Sequence, residues 1–153
     1  MSKPFGRYLE DFQQGEVIRH NLSKTITESD NNLFCLLTMN HHPLHLDAEY
    51  AAHTRFAQRV VVGTLVFSLA VGMSVGDISG KAVVNLGYEE VRHTHPVFIG
   101  DTLRAETEVL SVRASASQPG CGIARVCTRA YNQRGEQVIQ FIRSILVPRR
   151  EVE

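Results

Sequence analysis

Residues 63–76 constrain this chain more than any other segment. A glycine opens a run in which Leu65, Val66, Phe67, Leu69, Ala70, Val71, Met73 and Val75 leave no polar face at helical spacing. A helix that is apolar around its whole circumference has to be buried on all sides. At 1.5 Å per residue it would be ~20 Å long, enough to cross a small domain. It is too short to span a bilayer, and Gly63, Thr64, Ser68, Gly72 and Ser74 interrupt it. The rest of the chain must therefore supply a shell around it.

The second half reads as that shell. Residues 81–88 and 89–93 have strand character. Residues 102–112 alternate, with Leu103, Ala105, Thr107 and Val109 set against Arg104, Glu106, Glu108 and Leu110. Residues 123–132 and 137–147 flank Asn132-Gln133-Arg134-Gly135 and predict a hairpin. Gly100-Asp101 reads as a turn before Thr102. Upstream, residues 1–15 look irregular, with Phe5, Tyr8 and Phe12 as an aromatic cluster, and residues 17–25 predict a strand. Thr27 fits an N-cap with acids in the turn that follows. Leu33, Phe34, Leu36 and Leu37 then recur near helical spacing, predicting a helix that ends near Met39. Asp47 can cap a second short helix over 48–52. A strand, two helices, one apolar helix and about four strands together predict an α+β fold: an antiparallel sheet wrapped around a central buried helix.

No linker, repeat or low-complexity stretch divides the chain, so residues 1–153 read as one domain. With 43% hydrophobic residues it can fill a core. The 16 Lys and Arg balance the 16 Asp and Glu, so no net field favours nucleic acid or an anionic membrane. Pro148-Arg149-Arg150 reads as a solvated tail. The three cysteines show no CxxC spacing, and Cys35 and Cys127 lie in apolar-patterned stretches as small buried hydrophobes. An odd cysteine count and an N-terminus with no apolar run point to a reducing, cytoplasmic setting.

Chemistry concentrates in Thr38-Met39-Asn40-His41-His42-Pro43-Leu44-His45. Four side chains able to act as acid, base or hydrogen-bond partner crowd a turn beside a proline. Together with the glycine at the head of the apolar helix, they suggest a base on a loop facing an oxyanion donor at a helix N-terminus. That pairing suits reactions at or next to a carbonyl. His41 and His45 are four apart, but Pro43 between them disfavours a shared helix. No cysteine or carboxylate completes a ligand set, so no metal site is expected.

Three segments resemble the MaoC-like, or (R)-specific enoyl-CoA hydratase, family, whose fold is the hot-dog fold. Residues 38–45 correspond to that family's hydratase loop, usually T-G-D-x-N-P-x-H. Residues 47–59 resemble the helix that follows, commonly D-x-x-Y-A-x-x-x-R-F. Val62-Gly63-Thr64-Leu65 resembles the start of its central helix, often H-G-M-L, and residues 96–103 look like a common strand start in that fold. Pro43 and His45 match at the family's spacing. The family's aspartate falls on Asn40, its asparagine on His42, and the glycine before the aspartate on Met39. The NHHPLH loop looks like a subgroup found beside enzymes of branched dicarboxylyl-CoA metabolism.

The resemblance implies a hydratase or dehydratase acting on a 2-enoyl-CoA, with mesaconyl-, itaconyl- or methylmalyl-type esters as the branched or dicarboxylic candidates. CoA enters as part of the substrate and no separate cofactor is implied. His45 is the expected base, since an imidazole with a reference pKa near ~6.5 is largely neutral at pH 7. Gly63 is the expected oxyanion donor, because the first N–H groups of a helix lack internal partners. Asn40 cannot take a proton, but its amide can orient water. Either His45 works as the sole base or with His42, or a carboxylate on the substrate replaces the aspartate. Arg55, Arg59 or His53 would hold that carboxylate, and the arginines could equally meet CoA phosphate. His42, Pro43 and Thr64 complete the expected surroundings.

Two other functions compete. Thioesterases of this fold generally use a carboxylate on or near the central helix, yet residues 64–76 contain none and Asp77 comes only at the far end. A non-catalytic acyl-CoA-binding protein would explain Asn40 as lost activity. An exposed sheet edge predicts a homodimer or a dimer of dimers.

Overall fold

The computed structural model describes residues 3–151, so the expected domain limits at 1 and 153 lie outside the described residues. β1 (Val17–Thr25) is followed by α1 (Glu28–Leu37), α2 (Pro43–Leu46), α3 (Ala48–Ala52) and α4 (Gly63–Ser74). The last of these runs into a π-helical turn, Val75–Ser79. Then come β2 (Val84–His93), β3 (Thr102–Ala114), β4 (Cys121–Tyr131) and β5 (Gln137–Pro148). The strands form one antiparallel sheet in the order β1-β3-β4-β5-β2. Helix α4 lies against β1, β3 and β4, the expected α+β arrangement. Among the described residues no helix is long and apolar enough to cross a membrane.

The alternation in β3 is what fastens the sheet to the helix. Leu103, Ala105, Thr107 and Val109 all turn inward and are buried. Around α4, Leu65, Val66, Ala70 and Met73 join Leu103, Ala105, Ala130, Ile139 and Phe141 in one apolar cluster. A second cluster collects Leu9, Phe12, Ile18, Ile78, Val109, Val126 and Ile145. Full burial of a Leu or Phe side chain is worth about 1.5–3 kcal/mol, so these clusters are the main source of stability.

A buried polar group also forms. His20 Nδ1 donates to Asp77 at 2.7 Å, and Nε2 accepts from the Thr107 hydroxyl at 2.7 Å. The Thr107 and Thr128 hydroxyls bond each other at 2.9 Å. Arg143, also buried, donates to Ser74 and Ser79 at 2.7 and 3.2 Å, while its Nε has no partner among the described residues. Burial pushes the His20 imidazole below its ordinary value, against the opposing pull of Asp77. Burial would raise Asp77, but Lys3 and His20 together outweigh it and hold the carboxyl below the usual range.

Two expectations need correction, and one helix carries a buried residue that its spacing did not single out. Residues 81–88 and 89–93 are one strand: β2 runs through 84–93 with irregular register near Gly87 and Glu90, the latter in the left-handed region at φ 50°. Bulges of this kind bend an edge strand without ending it. Helix α1 keeps its capping box, with Thr27 and Asp30 bonding each other's backbone, but it buries Asn31 and Cys35, while Leu33, Leu36 and Leu37 are exposed. Finally, α4 is not enclosed on all sides. Thr64, Ser68 and Gly72 form an open stripe, because a single five-stranded sheet covers only part of the helix. Ser68, which would have been packed in a fully enclosed helix, is on that stripe.

Candidate active site

Pro43 begins α2 instead of preventing it. Its fixed φ suits the first helical position, and His42 caps the helix, its Nδ1 accepting the Leu44 N–H at 3.1 Å. His41 consequently lies ahead of the helix, and His41 and His45 share no helical face. Among the described residues no cluster of three or more His, Cys, Asp or Glu forms a potential metal site.

The helix delivers His45 to Val60. His45 Nδ1 lies 2.7 Å from the Val60 carbonyl oxygen. A carbonyl only accepts, so Nδ1 carries the proton, and in the neutral ring Nε2 is left as the acceptor. That is the tautomer a general base needs. The backbone on either side of Val60 is pinned as well: Val60 bridges Phe98, and the Val61 N–H donates to the Val97 carbonyl at 2.8 Å.

Gly63 opens α4 two residues later. Val62 precedes it in an extended conformation with no side-chain cap. Neither the Gly63 nor the Thr64 N–H has a partner among the described residues. These groups sit at the positive end of a 12-residue helix. His45, Arg55, Gly63, His93 and His95 line one cavity of about 400 Å³, with Val66 at its apolar side. The expected base and the expected donor therefore share a pocket.

Asn31 couples these two groups, and the sequence reading missed it. Its Nδ2 donates to the His45 carbonyl at 3.0 Å, and its Oδ1 accepts the Val62 N–H at 3.0 Å. The two partners leave only one orientation of the amide. Asn31 is fully buried, with the Cys35 thiol 3.9 Å from its oxygen. One side chain on α1 thus ties the His45 backbone to the residue before Gly63.

Other expected residues are distributed differently. Arg55 lines the cavity, its guanidinium 4.8 Å from the Phe56 ring centre and free of ion pairs among the described residues. Arg59 does not line it: it pairs with Glu28 at 2.7 Å and borders a separate cleft with Ala48 and Ile99. His53 is exposed, with Nδ1 bonded to the Glu49 carbonyl at 2.8 Å. Asn40, His42, Pro43 and Thr64 flank the site without lining the cavity. The Asn40 amide oxygen accepts the His42 N–H at 3.3 Å and shapes the turn. The segment His93-Thr94-His95, at and just past the end of β2, was also missed. His93 is the last residue of β2 and His95 lies in the bend just beyond it, and both imidazoles line the cavity. His95 is fixed through Nδ1 to the Pro96 carbonyl (2.8 Å) and Nε2 to Glu136 (2.5 Å).

A family described as MaoC like domain matches residues 11–131. The chain belongs to this MaoC-like family. Its fold is the hot-dog fold. The chain is 38% identical over 146 residues to a mesaconyl-CoA hydratase of Cereibacter sphaeroides, covering 95% of this chain but 42% of that protein. It is 35% identical over 114 residues to an (R)-specific enoyl-CoA hydratase of Aeromonas caviae, covering 74% of this chain and 81% of that protein. A putative MaoC domain protein dehydratase from Chloroflexus aurantiacus superposes with a TM-score of 0.93 at 31% identity, over 99% of this chain and 43% of that one. The chain thus spans about two-fifths of the length of the first of these relatives.

Proposed function

We propose that this chain catalyses the reversible hydration of a 2-enoyl-CoA, with a branched dicarboxylic ester of the mesaconyl type as the favoured substrate. The observation that carries the reading is the locked His45 tautomer in one cavity with the unpaired Gly63 N–H. In hydration, water adds through oxygen to the β-carbon and gives a proton to His45 Nε2. The negative charge gathers on the thioester oxygen, held by the Gly63 N–H. The imidazolium then protonates the α-carbon, which returns His45 to its starting state. Dehydration is the reverse. One shared base balances both proton transfers, so an aspartate at position 40 is not required. Asn40 then shapes the loop that carries His45 through the bond its amide oxygen accepts from the His42 N–H. A preorganised donor in a dry site is worth ~3–4 kcal/mol, and a positioned base contributes ~10²–10⁴-fold.

Arg55 is the cation available to an anionic part of the substrate, either its free carboxylate or CoA phosphate, whereas Arg59 is engaged by Glu28. The names of the first relatives support a dicarboxylyl ester. Hydrolysis fits less well. The carboxylate nearest the end of α4, Asp77, is bonded to His20 and Lys3 and lines a different cleft.

The assembly we favour is a homodimer joined through β2. This strand is a sheet edge and exposes Val84, Leu86, Tyr88 and Val91. Pairing there removes an unpaired edge and supplies a neighbour for the exposed apolar side chains. A cytoplasmic location fits three free cysteines, of which Cys35 and Cys127 are buried.

Incubation with mesaconyl-CoA and crotonyl-CoA tests the activity. Loss of enoyl absorbance without thiol release supports it. Free thiol would instead indicate hydrolysis, and binding without turnover a non-catalytic acyl-CoA-binding protein.

A further inference from the structure

The glycine at position 63 has a neighbour that explains it. A Cβ built there would lie 2.9 Å from His93 Cε1, 3.0 Å from Nε2 and 3.4 Å from Nδ1. Real Cβ atoms essentially never come within 3.0 Å of another atom, so a side chain here would require the ring to shift. The edge of an imidazole, with both its nitrogens, thus lies against the head of α4 where a Cβ at position 63 would stand. His93 stands at the end of β2, paired with Ile139, and lines the same cavity as His45. Its ring makes no hydrogen bond among the described residues, whereas both nitrogens of His95, two residues on, are engaged. An unengaged imidazole thus lies beside Gly63, whose N–H has no partner among the described residues, on the wall of the cavity that holds His45.

We propose that His93 is a further catalytic residue of this site, its ring N–H joining the Gly63 N–H in holding the thioester oxygen. The inference rests on the hydratase reading above. No proton leaves His93 during turnover. It donates a hydrogen bond that strengthens as charge builds on the oxygen, while His45 alone moves protons. Two donors converging on one oxygen form a preorganised oxyanion site, in which removal of a single donor typically costs ~10²–10³-fold in kcat.

The test compares wild type with His93→Ala and His93→Gln, using mesaconyl-CoA for turnover. Methylsuccinyl-CoA carrying ¹³C at the thioester carbonyl, which cannot be hydrated, serves as an infrared probe of the bound state. His93→Ala is expected to lose ~10²-fold or more in kcat with a much smaller change in KM. The bound carbonyl stretch should move back toward its value in free solution. His93→Gln, which keeps an N–H donor, should recover part of both. An unchanged carbonyl stretch in His93→Ala, or kcat within about threefold of wild type, overturns the proposal while leaving the hydratase reading intact. If His93→Ala fails to fold, His93→Gln decides: kcat and stretch near wild type support donation, and collapse of both in a folded variant refutes it. If wild type hydrates no enoyl-CoA, the hydratase reading fails first and this inference goes with it.

Discussion

Replacing Asn31 with leucine should damage both stability and turnover, and the structure says how much of each. Leucine has similar bulk but no hydrogen-bonding group. The Val62 N–H, at a residue 2% exposed, loses its acceptor, and the His45 carbonyl loses its donor. A buried donor left without a partner costs about 1–3 kcal/mol, and the second lost bond about 1 kcal/mol. The expected destabilisation is therefore about 2–4 kcal/mol, read as a lower urea midpoint at unchanged slope. The same change releases the His45 backbone from the residue before Gly63. A displacement of ~1 Å in a reacting group can cost ~10²-fold, so kcat per folded molecule should fall by about that factor in the enoyl-absorbance assay. Asn31→Asp separates the two bonds. It keeps an acceptor for Val62 but turns a carboxylate oxygen toward the His45 carbonyl, so His45 should still be displaced. Wild-type kcat in a folded, destabilised Asn31→Leu protein would show that Asn31 only supports the fold and would refute the coupling.

Further outcomes follow from the same geometry. His45→Ala should lower kcat by ~10²–10⁴-fold in the hydration assay without changing the urea midpoint much, because its ring makes one backbone bond at a half-buried position. Gly63→Ala should displace the His93 imidazole and reduce kcat more than stability, measured by steady-state kinetics alongside denaturation. Leu86→Lys on the exposed edge strand should shift the protein toward monomer in sedimentation velocity. Stability should fall as pH drops below ~6.5, the unfolded histidine value. Protonation there is easier in the unfolded chain than at buried His20, whose folded pKa is depressed, so the unfolded state binds more protons. The slope approaches ~1.4 kcal/mol per pH unit for one such group, and His20→Asn should flatten it in urea titrations between pH 7 and 5.

Much of this architecture is written locally. The period-two pattern of 102–112 and the turn at 132–135 specify β3 and the β4–β5 hairpin, because one sheet face is buried. Thr27 and Asp47 mark helix starts through the bonds their side chains make. His45, Gly63 and Arg55, which line one cavity, stood out in the sequence because a polar turn and a helix head are compact motifs. Asn31 could not: it is a polar residue inside an apolar-patterned helix, and its partners lie 14 and 31 residues away. Apolar spacing located α1 but did not say which of its residues face the core: Leu33, Leu36 and Leu37 are exposed, while Asn31 and Cys35 are buried. Arg59 looked equivalent to Arg55 until Glu28 was seen beside it, a contact set by tertiary packing. The enclosure of α4 was over-read for a related reason. An all-apolar helix requires cover, but nothing in the pattern says that one chain provides all of it.

The most direct measurement is a crystal structure of the protein with a bound acyl-CoA thioester. The account requires the thioester oxygen within ~3 Å of the Gly63 nitrogen and the β-carbon beside His45 Nε2. A thioester seated instead in the cleft beside Asp77, or one lying with its carbonyl turned away from the head of α4, would contradict it.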